Sequence, residues 1–153
     1  MANTYTQIHI QAVFAVHGRQ SLIHPEWKDE LFKYISGIFR NQKQKLLAIG
    51  GVEDHIHLLL GLRPSTAISD LVRDVKSDST EFVNKKRFSR RRFSWQEGYG
   101  AFSYSRSQLD AVAKYVLEQE EHHTKRSFKN EYVALLDRFE VEYDERYLFT
   151  WIE

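Results

Sequence analysis

KLLAIGGVEDHIHLLLGL, residues 45–62, is the stretch from which the rest of the chain is most easily read. Two apolar runs of strand length, KLLAIGGV and HIHLLLGL, meet tightly near Glu53 and Asp54, which predicts a β-hairpin. Side chains alternate along a strand, so His55 and His57 share one face while Ile56, Leu58 and Leu60 point the other way into a core. One side of this strand is apolar; the other carries two imidazoles about 7 Å apart along the backbone.

Upstream, residues 4–16 also alternate, with Ile8, Ile10, Ala12, Phe14 and Val16 on one face and Gln7, His9 and Gln11 on the other, the pattern of a half-buried strand. Pro25 opens a helix whose apolar positions Trp27, Leu31, Tyr34, Ile35, Ile38 and Phe39 follow the helical period to about Arg40–Gln42. Downstream, Pro64 closes the hairpin. Ser65 or Thr66 is placed to cap a second helix bearing Ile68, Leu71, Val72, Val75, Phe82 and Val83. The run 85–92 reads as a loop, and FSWQEGYGAFSYS (93–105) as a fourth strand bent at Gly98 or Gly100. Ser107 caps a third helix over 107–122, striped by Leu109, Val112, Ala113, Val116 and Leu117. A last helix carries Phe128, Tyr132, Leu135, Leu136 and Phe139.

Strand, helix, strand, strand, helix, strand and two further helices make the order of a ferredoxin-like α+β fold, a split βαβ unit with a C-terminal helical extension. The first and third strands then sit at the centre of a four-stranded antiparallel sheet, with helices on one face and the other face free for a site. A single domain over 1–153 is expected, with a core over about 1–105, a helix over about 107–122, and a C-terminal helix and tail over about 127–153.

Composition narrows the chemistry. The 153 residues contain no Cys, which removes disulfides, thiolate metal sites and cysteine nucleophiles, so a metal must be held by nitrogen and oxygen. Net charge is only +1, but it is unevenly spread: Lys85, Lys86, Arg87, Arg90, Arg91 and Arg92 put six cations in eight residues. Residues 137–153 hold six acids and two bases, leaving a net +5 on the remainder. A basic body with an acidic tail suits a polyanionic partner. The N-terminal MANTYTQIHIQAVFAV lacks the features of a signal peptide and no apolar stretch is long enough to span a bilayer, the pattern of a cytoplasmic protein.

His-x-His on a strand also occurs on ordinary surfaces, so the helix at 107–122 matters. Tyr115 and Gln119 are i,i+4 neighbours on the flank of its apolar stripe and present a phenol and an amide oxygen together. Each alone reads equally as an edge-of-core or solvated residue. With His55 and His57, Gln119 would complete a three-ligand site with open positions for Mg²⁺ or Mn²⁺, and Tyr115 could attack a bound phosphoryl group.

His55-Ile56-His57, WQEGYGAFSYS at 95–105 and KYVLEQ at 114–119 together resemble the HUH single-tyrosine transposases, above all the insertion sequence 200 type and the relatives that mobilise repetitive extragenic palindromes. The likeness extends through GGVEDHIHLLL, HHTKRSF and EYDERYLF. It implies cleavage and rejoining of single-stranded DNA with hairpin-forming ends. Tyr115 would be the nucleophile of a 5′-phosphotyrosine intermediate, and His55, His57 and Gln119 would be ligands of Mg²⁺ or Mn²⁺. It also implies a homodimer, although the palindrome-mobilising relatives can be monomers.

Other residues are read against this frame. The run 85–92, interleaved with Phe88 and Phe93, suits a DNA backbone and stacked bases as well as a solvated loop, and Arg73 and Lys76 are further phosphate contacts. Asp54 either orients a ligating imidazole or shapes the turn, and His9 shares the face of the histidine pair. His122 and His123 fit an exposed helix terminus or a phosphate contact. Trp95, Tyr99, Phe102 and Tyr104 read as packing. Two other functions use the same fold: a replication initiator or relaxase-like nickase, and a non-catalytic, domesticated hairpin-binding module, which would not need the full His, His, Tyr and Gln set.

Overall fold

The hairpin forms as β2 (Lys45–Gly51) and β3 (His55–Gly61), and β1 (His9–Ala15) and β4 (Gly100–Tyr104) complete an antiparallel sheet in the order β2-β3-β1-β4. This computed structural model describes residues 3–152; Met1, Ala2 and Glu153 of the acidic tail lie outside the described residues. Helices α1 (Pro25–Asn41) and α2 (Ile68–Lys86) supply the crossovers of a ferredoxin-like topology. After β4 come α3 (Leu109–Leu117), the short α4 (Gln119–His123) and α5 (Phe128–Arg138).

Pro at its first position and a stripe of Trp27, Leu31, Ile35, Ile38 and Phe39 explain α1, which buries that stripe with Ile56, Leu58 and Leu60 of β3 and Leu71 and Val75 of α2. Full burial of each β3 side chain contributes about 1.5–3 kcal/mol. Helix α2 begins one residue later than the polar capping signal suggests: Ala67 is its N-cap, because Thr66 Oγ1 instead accepts from Gln44 Nε2 at 2.8 Å. It also runs on through Lys85 and Lys86, with Arg87 in the left-handed conformation at its end, so only part of the basic run is loop.

The strand expected over 93–105 is confined to Gly100–Tyr104, with Trp95 only bridging Val16, and two larger readings also need correction. The helix expected over 107–122 is broken: a 3-10 turn at Arg106–Gln108, capped by Ser105 rather than Ser107, leads into α3, and Glu118 separates α3 from α4. The second face of the sheet is also not free. The extension packs across it, α3 on β2 and β3, and α5 against β4. Two glycines permit the approach. A Cβ at Gly50 would lie 1.8 Å from the Val116 carbonyl oxygen, and one at Gly100 would lie 2.6 Å from the Tyr132 hydroxyl. The sheet is therefore sandwiched, and every residue of β3 from His55 to Leu60 is buried.

The tail closes onto the body at its far end. Gln96 Nε2 donates to the Thr150 carbonyl at 2.8 Å and its Oε1 accepts from the Thr150 amide at 2.7 Å, while Phe149 and Trp151 pack around Phe128 and Tyr132. The acidic residues Glu142, Asp144 and Glu145 stay exposed. No helix among the described residues is long and apolar enough to cross a membrane.

Candidate active site

Strand alternation delivers His55 and His57 to the face covered by the extension, their ring centroids 5.0 Å apart. Both are fully buried, as is Gln119 at the start of α4. His55 Nε2 lies 3.3 Å from Gln119 Oε1, and its Nδ1 lies 2.7 Å from Asp54 Oδ1. The turn residue Asp54 thus also holds a site imidazole. Phe128 stacks on the His55 ring at 3.8 Å, fixing its plane.

The organising residue is one that periodicity hid. Glu131, on α5, sits on the same side as Phe128 and Leu135 and is fully buried; an acid three after one stripe residue and four before another was the only signal in the sequence. Its Oε1 is 3.2 Å from His55 Nε2, 3.1 Å from His57 Nε2 and 3.0 Å from His123 Nε2. Its Oε2 accepts the Tyr115 hydroxyl. His123, which sequence reading put at an exposed helix end, is only a tenth exposed and also lies 3.1 Å from Gln119 Oε1. Gln11 was likewise missed: its Nε2 is 2.8 Å from His57 Nδ1 while its Oε1 accepts the Tyr104 hydroxyl at 2.7 Å, so a strand neighbour orients the second imidazole.

Charges follow the contacts. Burial disfavours imidazolium at His55, but hydrogen bonds and fields from Asp54 and Glu131 outweigh it and raise its pKa. For His57 burial wins and the pKa falls to about 4, leaving a neutral ring. Burial opposes the Glu131 carboxylate, yet three facing imidazoles hold its pKa far below the carboxylate range. Burial and the adjacent Glu131 together push the Tyr115 pKa above that of a free phenol.

Nε2 atoms of two imidazoles and a buried carboxylate, their donor atoms within 4.8 Å of one another, are the nitrogen and oxygen set a divalent ion takes, and Gln119 Oε1 adds a further oxygen beside them. The residues present fit such an ion.

The remaining sequence-predicted residues are dispersed. His9 shares the face of the pair, but Gln11, two residues along, is the side chain that reaches His57, and His9 Nδ1 has no hydrogen-bond partner among the described residues. Lys85, Lys86, Arg87, Arg90, Arg91 and Arg92 are exposed. The aromatics between them do not face solvent as stacking platforms: Phe93 is buried, and Phe88 stacks on Trp27 at 5.4 Å. Arg73 pairs with Asp70 and Asp74, and Lys76 donates to the carbonyls of Gln96 and Gly98 at 2.7 and 2.6 Å. Trp95, Phe102 and Tyr104 are buried in the core, while Tyr99 lines a groove beside α2 with Arg73, Lys76, Lys85 and Arg92.

Residues 4–119 match the family described as Transposase IS200 like. The chain belongs to this transposase family. The match covers all four strands, the histidine pair, Tyr115 and Gln119, and stops before Glu131. No individually curated protein matches the chain significantly. Among solved structures, a candidate transposase from Deinococcus radiodurans R1 superposes with a TM-score of 0.63 at 20% identity, over 76% of this chain and 93% of that one. A REP-associated tyrosine transposase bound to a REP hairpin gives 0.56 at 15% identity, over 76% and 68%. At these identities the structural likeness establishes the shared fold, and family membership rests on the sequence match.

Proposed function

We propose that this transposase-family protein cuts and rejoins single-stranded DNA through Tyr115, with a Mg²⁺ or Mn²⁺ ion held by His55, His57 and Gln119 and, in addition, by Glu131. The observation that carries the reading is the convergence of the Tyr115 hydroxyl and the His55 and His57 Nε2 atoms on one buried carboxylate, Glu131. A nucleophile and a set of metal donors are gathered by elements far apart in sequence, which a hairpin-binding module would not require. Asp54 and Gln11 would orient the two imidazoles from behind.

In the proposed step the Tyr115 oxygen bonds to phosphorus and the bond from phosphorus to the 3′ oxygen breaks, leaving a 5′-phosphotyrosine and a 3′-hydroxyl. Glu131 Oε2, which accepts the hydroxyl hydrogen bond, aims the oxygen; the phenol proton leaves to water in the cleft beside Tyr115, and the departing 3′ oxygen gains a proton from water. When bound, the ion supplies Lewis-acid polarisation of the phosphoryl oxygens and a positive field that favours the phenolate. The phosphotyrosine conserves the bond for rejoining, so no nucleotide cofactor is needed.

The exposed cations of 85–92 supply non-specific phosphate attraction in this reading, with Arg73 contributing at the α2 groove and Lys76 chiefly structural. His9 has no assigned chemistry beyond its place on the same face. One chain supplies both tyrosine and histidines, which supports cleavage within a subunit; a homodimer would serve to bring two DNA ends together. The hairpin-bound structural relative supports hairpin-forming single strands as the substrate class; a cytoplasmic site of action is proposed because it fits a transposase. The whole chain, 1–153, is proposed to act as one domain.

The test is incubation with labelled single-stranded oligonucleotides tiled across the DNA flanking its gene, with Mn²⁺, followed by denaturing electrophoresis. A protein–DNA adduct that disappears with chelator and in Tyr115→Phe is the expected result. Hairpin binding with no adduct on any strand would replace this reading with the binding module.

A further inference from the structure

The buried centre is flanked by two clefts. One, of about 480 Å³, opens beside Tyr115 and is walled by Tyr104, Gln108, Val112, Leu135 and Arg138. The other, of about 540 Å³, opens beside Asp54 and His123, and Lys28 and Lys129 also line it. Arg126 lines both. It is an exposed residue between α4 and α5, and it lines the first cleft together with Tyr115.

His55, His57, Gln119 and Glu131 have almost no contact with solvent, whereas Tyr115 is half-buried and faces the first cleft. A polymer reaching the centre must therefore approach along its flanks. The first cleft combines an apolar wall of Val112 and Leu135 and the edge of an aromatic ring with cations at its rim, the mixture that accepts a base and a phosphate together. Guanidinium grips a phosphodiester by paired hydrogen bonds, and its charge does not vary with pH in the working range.

We propose that Arg126 is the positioning residue for the phosphodiester that Tyr115 attacks: the single strand crosses from one cleft to the other over its guanidinium, and the nucleotide on the Tyr115 side lodges between Val112, Leu135 and Arg138. This rests on the strand-transfer reading above. It differs from the basic run 85–92 in kind, because phosphate attraction along a loop is spread over many positions, whereas Arg126 acts at one.

The experiment is a scan in which each phosphate of a binding oligonucleotide is replaced in turn by an uncharged methylphosphonate. Affinity is measured for Tyr115→Phe protein with and without Arg126→Ala, so that no cleavage is needed. The expected result is one position where neutralisation weakens binding about tenfold with Arg126 present and not in its absence, and where wild-type protein forms its adduct. Arg126→Lys should recover part of the affinity, and Val112→Trp, which fills the cleft, should alter base preference next to that position alone. Equal, additive losses at all positions would overturn the proposal, as would coupling at a phosphate other than the one cleaved. If no adduct forms on any strand, the strand-transfer reading fails while coupling at a single phosphate still decides whether Arg126 grips one.

Discussion

On one face of β3, Ile56, Leu58 and Leu60 lie in an apolar cluster with α1 and α2; on the other, one residue out of step, His55 and His57 meet Gln119, His123 and Glu131. Both faces are equally dry, yet they are held by different forces. The apolar side gains from area removed from water and tolerates some imprecision in its partners. The polar side gains only if each buried donor meets an acceptor, since an unpaired group there costs more than the bond it lost. A fold that spends one face on stability can hold a demanding cluster of charges on the other.

That comparison is most directly broken at Glu131. In metal-free protein, Glu131→Ala leaves three imidazoles and a phenol without their shared acceptor, and a loss of about 3–5 kcal/mol is expected by urea unfolding. Glu131→Gln, which keeps one oxygen, should lose distinctly less. A cost for Glu131→Ala no larger than that of a surface change would mean the polar face contributes little to the fold.

Leu58→Ala probes the opposite face of the same strand. Its cavity should cost about 2–5 kcal/mol while leaving metal affinity, read by calorimetry with Mn²⁺, within about twofold at temperatures where the variant is folded. A matching fall in metal affinity would show that the two faces are not separable.

Gly50→Ala acts at the seam between sheet and extension. The added methyl collides with the Val116 carbonyl, so α3 must shift; about 1–3 kcal/mol of stability should be lost, and adduct formation should fall further than stability because Tyr115 and Gln119 ride on that backbone. An unchanged cleavage rate would place the working position of α3 away from β2.

The smallest effect concerns Lys76, half-buried against Phe14 on the α1 and α2 side, where burial lowers its pKa to about 8 and Glu97 partly opposes the shift. Between about pH 8 and the ordinary lysine value of 10.5 the unfolded chain binds the proton that the folded chain has released, so stability should rise with pH across this window. Solvent screening keeps the gain under about 1 kcal/mol, and it should be absent from Lys76→Met in a pH series of unfolding curves. A slope that persists in Lys76→Met would assign it to other groups.

Much of the scaffold is legible in one dimension. Alternation in 45–62 sets the hairpin, the side of His55 and His57 and the apolar face, and the stripes of α1 and α5 locate those helices within a residue or two. Local competition is harder to read: Thr66 has a side-chain partner elsewhere in Gln44, and Glu118 interrupts the helix just after its last apolar position, Leu117, where no proline or glycine marks a break. The phenylalanines among the cations illustrate the same limit, since Phe93 is a core residue and Phe88 packs against the core only because Trp27 and Trp95 come to meet them.

By itself, then, the sequence determined what repeats locally: a strand of period two carrying two imidazoles on one side, helices of period 3.6, and a tyrosine four residues before a glutamine. These follow from backbone geometry, which neighbouring residues share. Tertiary structure alone decided that the second face is covered, that Glu131 is the acceptor common to Tyr115 and three histidines, that Gln11 orients His57, and that Arg126 lies between two clefts. Each depends on side chains from separate elements meeting at hydrogen-bond distance, with Glu131 reaching His57 across 74 positions of chain. No periodicity records such a meeting, because it is set by how closely α3 and α5 settle onto the sheet at Gly50 and Gly100.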